Sequence, residues 1–377
     1  MAPDLRPQEI AALHRAVALA GQGAGTVLPN PVVGCVLLAA GGWTVGEGWH
    51  QRPGGPHAEI AALAAAGNWA RGATAVVTLE PCNHSGRTGP CSEALIAAGV
   101  ARVIVPVTDP WLPAAGGMKR LRASGVEVVD LSASHASTRD LGTPSAGPAG
   151  VAAGIAAAVE AAEDVNRVWL TATRLSRSFV TWKAGMTIDG RVAAVDRTSR
   201  WITSAQARAD VHRLRAGVDT MMVGVGTVLA DDPQLTVRDA GGRPVRRQPL
   251  RVVLDSRSRT PGTARVLDDA AETWVATAAE VGARGDGRVD PAAVLERLYR
   301  RGQRHVLLEG GPTLAASLFD AGLVDEAVVY IAPTVLGAGL SAVDGGSVPT
   351  LAGAHRGRLR EVTRFGPDVR LRFSFHT

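Results

Sequence analysis

Two successive α/β domains, each a sheet layered with helices, are what this sequence predicts. Three observations carry that expectation. The chain has 377 residues, enough for two domains at about 150 residues each. Short apolar runs of strand length alternate with apolar residues at helical spacing in both halves. Between them, from about Ser132 to Ala158, the pattern gives way to Ser, Gly, Pro and Ala, the composition of a linker. The expected domains are therefore residues 1–131 and 168–377, with an Ala/Gly/Pro-rich linker and connecting helix over 132–167. No internal repeat relates the halves, so they are different modules.

In the first half, Ile10, Leu13 and Val17 at i, i+3 and i+7 form one face of a helix. The apolar runs Val32 to Leu38 and Trp43 to Gly48, separated by Ala39-Ala40-Gly41-Gly42, predict a hairpin. A helix from Ala58 to Ala66, a strand from Ala75 to Leu79, a helix from Ser92 to Ala98 and a strand from Arg102 to Val107 follow. One more helix and the strand Val126 to Val129 complete this sheet. Within the linker, Val151 to Val165 has the composition of a helix.

The second half opens with a strand from Phe179 to Lys183. Thr203 and Gln206 form a capping-box pattern for a helix running to Ala216-Gly217. Strands are expected at Thr220 to Val223, Leu250 to Leu254 and Thr273 to Ala276. Asp290 and Pro291 read as N-cap and first residue of a helix ending before Gly302. Then come a strand from His305 to Leu308, a helix from Pro312 to Ala321 and a strand from Glu326 to Ile331. Arg360 to Phe365 and Val369 to Phe373 flank Gly366-Pro367-Asp368 as a closing hairpin.

Composition removes several classes. With 46% hydrophobic and 20% charged residues and a mean hydropathy of +0.09, the chain is too apolar to be disordered throughout. It has no uncharged apolar run of about 18 residues, so no membrane span is expected. Met1 to Arg6 and Pro7 lack the basic stretch and apolar core of an export signal, so a cytoplasmic location is expected. The net charge of +5 suits anionic small molecules better than a nucleic-acid polymer. Three cysteines, Cys35, Cys82 and Cys91, do not make a disulfide framework and fit a metal or catalytic role better.

His57-Ala58-Glu59, Pro81-Cys82 and then Cys91 carry the strongest chemical signal. One imidazole and two thiolates make a three-ligand site, the pattern of catalytic zinc, which leaves a fourth position for water. Zinc lowers the pKa of that water to about 7, making a nucleophile available at neutral pH. Glu59, in the first turn of its helix, is placed to shuttle protons to a leaving amine. Cys91 stands just ahead of a predicted helix, where the dipole favours a thiolate. A structural zinc would want a fourth protein ligand, for which His84 or His50 is available. Cys35, inside an apolar strand, reads as a core residue. H-x-E at a helix start, then a strand, then P-C and a further Cys form a zinc nucleobase-deaminase pattern. The nine-residue cysteine interval departs from the commoner P-C-x-x-C.

Further motifs narrow the choice. Pro29-Asn30-Pro31-x-Val33-Gly34-Cys35, Gly46-Glu47-Gly48-x-His50, Pro56-His57-Ala58-Glu59, Thr78-Leu79-Glu80-Pro81-Cys82-Asn83-His84-x-Gly86-Arg87-Thr88 and Pro90-Cys91 resemble the deaminase half of the bifunctional riboflavin-biosynthesis deaminase/reductase family. The resemblance implies a cytidine-deaminase-like α/β/α layered domain. It also implies that Asn30, His50, Ala58, Glu59 and His84 contact a pyrimidine, with Glu59 as proton shuttle. On physics alone Asn30 also reads as a turn residue between prolines, and His84 as a solvated loop residue. Trp111-Leu112 stand where the family usually has Asn-Pro after Asp109-Pro110.

In the second half, Leu307-Leu308-Glu309 followed by Gly310-Gly311-Pro312 is a strand–glycine–helix layout that lets backbone amides approach a phosphate. Gly224-Val225-Gly226-Thr227 after the strand Thr220 to Val223 is a second such turn. Neither is G-x-G-x-x-G, and each alone also reads as plain turn chemistry. A wider run resembles the reductase half of the same family: Phe179-Val180-x-x-Lys183, Asp189-Gly190, Ser199-Arg200-Trp201-Ile202-Thr203, Arg208, Leu214-Arg215-Ala216, Gly226 to Arg238 and Glu309-Gly310-Gly311-Pro312-x-Leu314. The likeness covers nearly the whole chain outside the linker, in family order.

That resemblance implies a dihydrofolate-reductase-like fold, with Met186, Trp201, Thr227 and Asp231 along NADPH. Gly311, Pro312, Thr313, Leu314, Ala315, Ala316 and Ser317 join them. It assigns Ser199, Arg215, Leu235, Arg238 and Glu309 to the substrate. Arg215 and Arg238 offer planar, permanently charged forks suited to the ribose 5-phosphate. Lys183 is one of only two lysines, with Lys119, among 40 basic residues. A lysine there suggests that a compact ammonium is needed, and Lys183 is expected to orient the sugar near the hydride-accepting carbon. Asp189 also reads as a plain Asp-Gly turn, and Met186-Thr187 stand where the family often has Ala and Ser.

The implied function is a pair of steps with one zinc and one NADPH. The first is hydrolytic deamination of 2,5-diamino-6-(5-phosphoribosylamino)pyrimidin-4-one. The second is reduction of the ribosyl chain of the resulting 5-amino-6-(5-phosphoribosylamino)uracil to ribityl. The expected partners are small phosphorylated pyrimidines and further copies of the chain (a dimer or tetramer), with no nucleic acid and no membrane. Three rivals differ in what they need. A nucleic-acid deaminase wants a basic surface and stacking aromatics, whereas the chain holds only 8 Trp, 5 Phe and 2 Tyr, with no basic cluster beside the zinc motif. A non-enzymatic zinc module would bind metal without an open position. A one-activity homologue would keep one working half.

Overall fold

Strand-length apolar runs become two separate sheets in the computed structural model, which describes residues 5–84, 89–132, 148–239 and 241–375. Gly86, Arg87 and Thr88 of the motif above, and residues 133–147 of the expected linker, lie outside the described residues. Contacts group the chain into two compact units, Met1–Leu175 and Ser176–Thr377.

The first unit runs α1 (Pro7–Gly21), β1 (Gly34–Leu38), β2 (Thr44–Trp49), α2 (Ala58–Ala66) and β3 (Thr74–Val77). It continues with α3 (Cys91–Ala97), β4 (Arg102–Val105), α4 (Gly117–Ala123), β5 (Glu127–Asp130), α5 (Pro148–Val165) and α6 (Arg167–Leu175). The strand order is β2-β1-β3-β4-β5. The expected hairpin pairs β1 with β2, and β3, β4 and β5 are mutually parallel. Alternation along β1 divides the core, as period-2 side chains must. Cys35 and Leu37 pack with Ala58 and Ala62 of α2 and Leu95 of α3, while Val36 and Leu38 pack with Leu13 and Ala16 of α1 and Ile155 and Val159 of α5. Cys35 is thus a core residue.

The sequence expectation began the second domain at residue 168, but the packing of α6 keeps it in the first unit. Trp169 and Leu170 bury against Leu79 and Val107, leaving the break after Leu175.

The second unit contains β6 (Phe179–Thr187), β7 (Arg191–Ala193), α7 (Ala205–Ala216), β8 (Thr220–Gly224), α8 (Val225–Asp231) and β9 (Leu250–Leu254). Next come β10 (Thr273–Ala276), α9 (Ala278–Val281), α10 (Pro291–Arg300), β11 (His305–Leu308) and α11 (Pro312–Asp320). β12 (Glu326–Ala332), β13 (Leu340–Ser341), β14 (Arg358–Phe365) and β15 (Asp368–Ser374) close it. The main sheet has the order β10-β9-β8-β11-β6-β12-β15-β14. Its first six strands are parallel, and the expected closing hairpin adds β15 antiparallel to β12 and β14 antiparallel to β15. Asp290 caps α10 as expected, accepting from Ala292 N at 3.0 Å.

α7 starts one residue later than the capping-box reading of Thr203 places it. Ser204 is the N-cap and accepts from Ala207 N at 3.2 Å. The hairpin turn selects it, because Asp368 Oδ2 accepts from Ser204 N at 2.7 Å and Ser204 Oγ donates to Phe365 O at 3.2 Å. No helix among the described residues is long and apolar enough to cross a membrane.

Candidate functional site

Two chemical centres emerge, one in each unit. In the first, α2 can lie directly on β2 because Gly46 and Gly48 have no side chains. A Cβ at Gly48 would meet Ala58 O at 2.4 Å and Ala62 N at 2.5 Å. That contact sets the start of α2, where His57 is the N-cap and Glu59 sits in the first turn. Gly117 plays a similar part on the opposite wall, since a Cβ there would stand 1.7 Å from Pro81 O. The first turn of α4 therefore abuts the loop that carries Cys82. Buried Glu80 ties down the same loop region by accepting from the backbone N–H of Asp109 at 3.2 Å, and of Gly116 and Met118 at 3.1 Å.

His57 Nδ1 lies 3.6 Å from Cys82 Sγ and 3.3 Å from Cys91 Sγ, and all three ligand atoms fall within 4.8 Å of one another. A tetrahedral zinc with N at about 2.0–2.1 Å and S at about 2.3 Å separates such ligands by about 3.6 Å. The donor set fits the metal. Cys91 is the first residue of α3 and donates its backbone N–H to Cys82 Sγ at 3.4 Å. The Cys82 thiol is held down at about 4, first by hydrogen bonding from Cys91 against the effect of burial, then by His57. Hydrogen bonding to Cys82, and then burial, push the Cys91 thiol up. Burial raises the Glu59 carboxyl to about 7.

The fourth-ligand alternative does not assemble among the described residues, where the only candidate metal cluster is His57, Cys82 and Cys91. His50 uses both ring nitrogens elsewhere. Its Nδ1 donates to Pro56 O at 3.0 Å, leaving Nε2 to accept from Asn30 Nδ2 at 3.3 Å. Burial lowers its pKa, which keeps it neutral. Asn30 Oδ1 is then the acceptor left to a ligand. His84 Nδ1 is buried with no hydrogen-bond partner among the described residues. Its ring meets Trp111 edge-on, with centroids 5.4 Å apart. Asp109 Oδ1 accepts from Trp111 N at 2.8 Å, so the loop that departs from the family pattern is still anchored. Ala58 is fully buried as the first residue of α2.

In the second unit, a cleft of about 820 Å³ opens at the carboxyl ends of the parallel strands, the usual place for a ligand in such sheets. Ser199, Thr227, Asp231, Glu309 and the start of α11 line it, as does Lys183. The helices α8 and α11 both begin there, behind the two glycine turns. The expected Gly224–Thr227 turn is instead the start of α8, with Gly224 as N-cap and Gly226 in its first turn, where a Cβ would meet nothing within 4 Å.

Lys183, Arg215 and Glu309 form one ionic cluster. Lys183 Nζ is 3.0 Å from Glu309 Oε2, and Arg215 donates from Nε to Oε1 at 2.7 Å and from Nη2 to Oε2 at 2.9 Å. Burial alone would raise the Glu309 carboxyl, but Arg215 and Lys183 outweigh it and hold it well below the usual range. The Arg215 fork, expected to face a phosphate, is therefore filled by a carboxylate. Arg238 donates to Gly242 O at 3.0 Å and to Gln234 Oε1. Leu235 is buried with φ +55°, a left-handed conformation that costs a branched residue about 1–2 kcal/mol.

Other expected cofactor residues are more dispersed. Trp201 is 69% exposed, with the Arg208 guanidinium 4.3 Å from its ring centre. Met186 packs on the hydrophobic core, and Ala315 and Ala316 are buried inside α11. Asp189 is a loop staple, accepting from Thr187 Oγ1 at 2.6 Å, Leu336 N at 3.2 Å and Gly337 N at 2.7 Å.

Sequence reasoning missed Ser256, Arg257, Arg259 and Arg288, which also line the cleft. The available signal was Asp255-Ser256-Arg257 directly after β9, a polar triplet at the carboxyl end of an apolar strand.

Comparison with known proteins matches residues 7–107 to the cytidine and deoxycytidylate deaminase zinc-binding region and residues 178–371 to the RibD C-terminal domain. The riboflavin biosynthesis protein RibD of Escherichia coli (strain K12) is 40% identical over 382 residues, covering 95% of this chain and 96% of that protein. The RibD of Mycobacterium tuberculosis (strain CDC 1551 / Oshkosh) is 42% identical over 347 residues, covering 92% and 91%. Acinetobacter baumannii RibD, form 1, superposes with a TM-score of 0.80 at 34% identity over 98% of this chain and 99% of that one. A diaminohydroxyphosphoribosylaminopyrimidine deaminase/5-amino-6-(5-phosphoribosylamino)uracil reductase from Thermotoga maritima gives 0.79 at 29% identity, covering 98% and 99%.

Proposed function

The chain belongs to the RibD family of riboflavin-biosynthesis deaminase/reductases, and from that premise we propose which residues carry each of its two reactions. It is a bifunctional enzyme with a zinc-binding deaminase domain followed by an NADPH-dependent reductase domain. The observation that carries the residue assignment is the His57–Cys82–Cys91 cluster with Glu59 buried beside it.

In the deaminase, His57, Cys82 and Cys91 hold the zinc, which when bound supplies the Lewis acidity that makes water nucleophilic at neutral pH. Neutral His50 fixes the Asn30 amide through the 3.3 Å contact, so that Asn30 Oδ1 accepts from the pyrimidine. His84, braced by Trp111, closes another side. Glu59 takes the proton released from water and delivers it to the departing nitrogen, which leaves as ammonia. Ala58 supplies a small, tightly packed wall.

In the reductase, NADPH when bound supplies the hydride that reduces ribose C1′. Glu309, which lines the cleft beside Lys183, pairs with both Lys183 and Arg215. Lys183 orients the sugar hydroxyls, while Arg215, Arg238, Ser199 and Leu235 bind the remainder of the substrate. The cofactor follows the start of α11, from Gly311 to Ser317, with Thr227 and Asp231 opposite and Met186 and Trp201 further along. Arg257, Arg259 and Arg288 give its phosphates a cationic wall. We also assign the chain to the cytoplasm as a homo-oligomer, dimer or tetramer; light scattering of the purified protein checks the assembly.

The assignment is tested by reciprocal variants. Glu59→Ala abolishes ammonia release with NADPH oxidation intact, and Lys183→Ala does the reverse. Wild-type ammonia release by Glu59→Ala would remove Glu59 from the chemistry.

A further inference from the structure

Asn166 stands between α5 and α6, in the connector outside both matched domain regions. Its side chain is buried and spans 134 positions to a single residue. Val32 N donates to Asn166 Oδ1 at 2.9 Å, and Asn166 Nδ2 donates to Val32 O at 2.6 Å. One carboxamide thus satisfies both backbone groups of Val32, as a neighbouring strand would. A buried backbone pair of this kind needs both partners, because leaving either group unmet is costly.

Val32 is joined to Asn30 through Pro31, whose ring fixes φ and leaves little slack between them. Val33 O accepts from His50 N at 3.0 Å, and His50 Nε2 meets Asn30 Nδ2 at 3.3 Å. The loop carrying Asn30 is therefore held on one side by His50 and on the other by Asn166. We propose that Asn166 is a positioning residue of the deaminase, holding Asn30 at the pyrimidine site from the connector helices. The proposal rests on the reading of Asn30 as a pyrimidine contact.

An Asn166→Asp variant of the full chain keeps the side-chain shape but loses the donor to Val32 O. It is expected to raise the deaminase KM about tenfold with kcat nearly unchanged, as lost ground-state binding does. Zinc content and both reductase constants stay at wild-type values. Asn166→Ser, smaller and uncharged, gives the same split and serves if the aspartate variant does not fold.

A double-variant cycle isolates the route. Asn30→Ala alone raises the deaminase KM, and adding Asn166→Asp raises it no further, because residues acting as one unit are not additive. Three results overturn the proposal: an unchanged KM in Asn166→Asp when Asn30→Ala raises it, additive effects in the double variant, or loss of zinc or reductase activity alongside. An unchanged KM in Asn30→Ala overturns the Asn30 assignment itself, and the proposal with it.

Discussion

His57 and Cys91 lie 34 residues apart in sequence, whereas Arg215 reaches Glu309 across 94, and the two centres differ in kind as well as in span. The zinc cluster is gathered by the starts of two helices and one loop, and its chemistry depends on groups that change protonation. The reductase cleft is gathered from the carboxyl ends of several strands, and its chemistry depends on fixed charges that compensate one another. Local assembly leaves a sequence signature; assembly through sheet topology does not. Substitutions should therefore separate the centres cleanly, by activity in the first and by stability together with activity in the second.

The largest separation is expected from Glu59→Gln. Removing the proposed proton carrier is expected to lower deaminase kcat by about 10²–10⁴-fold, while metal analysis still finds one zinc and NADPH oxidation proceeds normally. Parallel loss of both activities would erase the contrast between the centres.

Next comes Glu309→Gln, which strands two largely buried cations. Breaking a buried ion pair costs about 3–5 kcal/mol, so calorimetry should show the second unit unfolding at a markedly lower temperature, with reductase activity lost and deaminase activity kept. Equal stability of wild type and variant would mean that the cluster does not hold the cleft together.

How much of this was legible from the sequence follows the same division. H-x-E at a helix start and P-C in a loop need few residues and little topology, so His57, Glu59, Cys82 and Cys91 could be read directly. The hairpin β1–β2 and the Asp290 cap were equally local. Lys183 stood out by the rarity of lysine and by its motif, and Glu309 by its place before the glycine pair, but their ion pair was invisible, since nothing in a linear pattern brings β6 beside β11. Ser256, Arg257 and Arg288 escaped for the same reason. The cap of α7 was misplaced by one residue because a hairpin about 160 residues downstream decides it. The Asn166–Val32 clamp and the Glu80 staple are likewise long-range and carry no periodic signal.

Acidification sharpens the comparison further. The Glu309 carboxyl is depressed in the folded protein, so its stabilisation is fully present above the unfolded value of about 4.3 and is lost as pH falls toward the folded value. Between those limits this one group lowers stability by up to about 1.4 kcal/mol per pH unit. Unfolding free energies measured from pH 5 downward should show that slope in the wild-type second unit, and Glu309→Gln should lack it. Matching slopes would assign the acid sensitivity to other groups.

The smallest effect is expected at Trp111. Its edge contact with His84 belongs to a class worth about 0.5–1.5 kcal/mol, so Trp111→Ala should raise the deaminase KM by about two- to tenfold, leaving kcat and the reductase untouched. A change in kcat alone would place Trp111 nearer the chemistry than this structure does.

Each centre is expected to be complete within its own unit. Mixing Glu59→Gln chains with Lys183→Ala chains tests this most directly. Supplied with the diaminopyrimidine substrate and NADPH, neither variant alone should form the ribityl product, and the equimolar mixture should form it while releasing ammonia. A mixture that releases ammonia without forming the ribityl product, or does neither, would contradict the account.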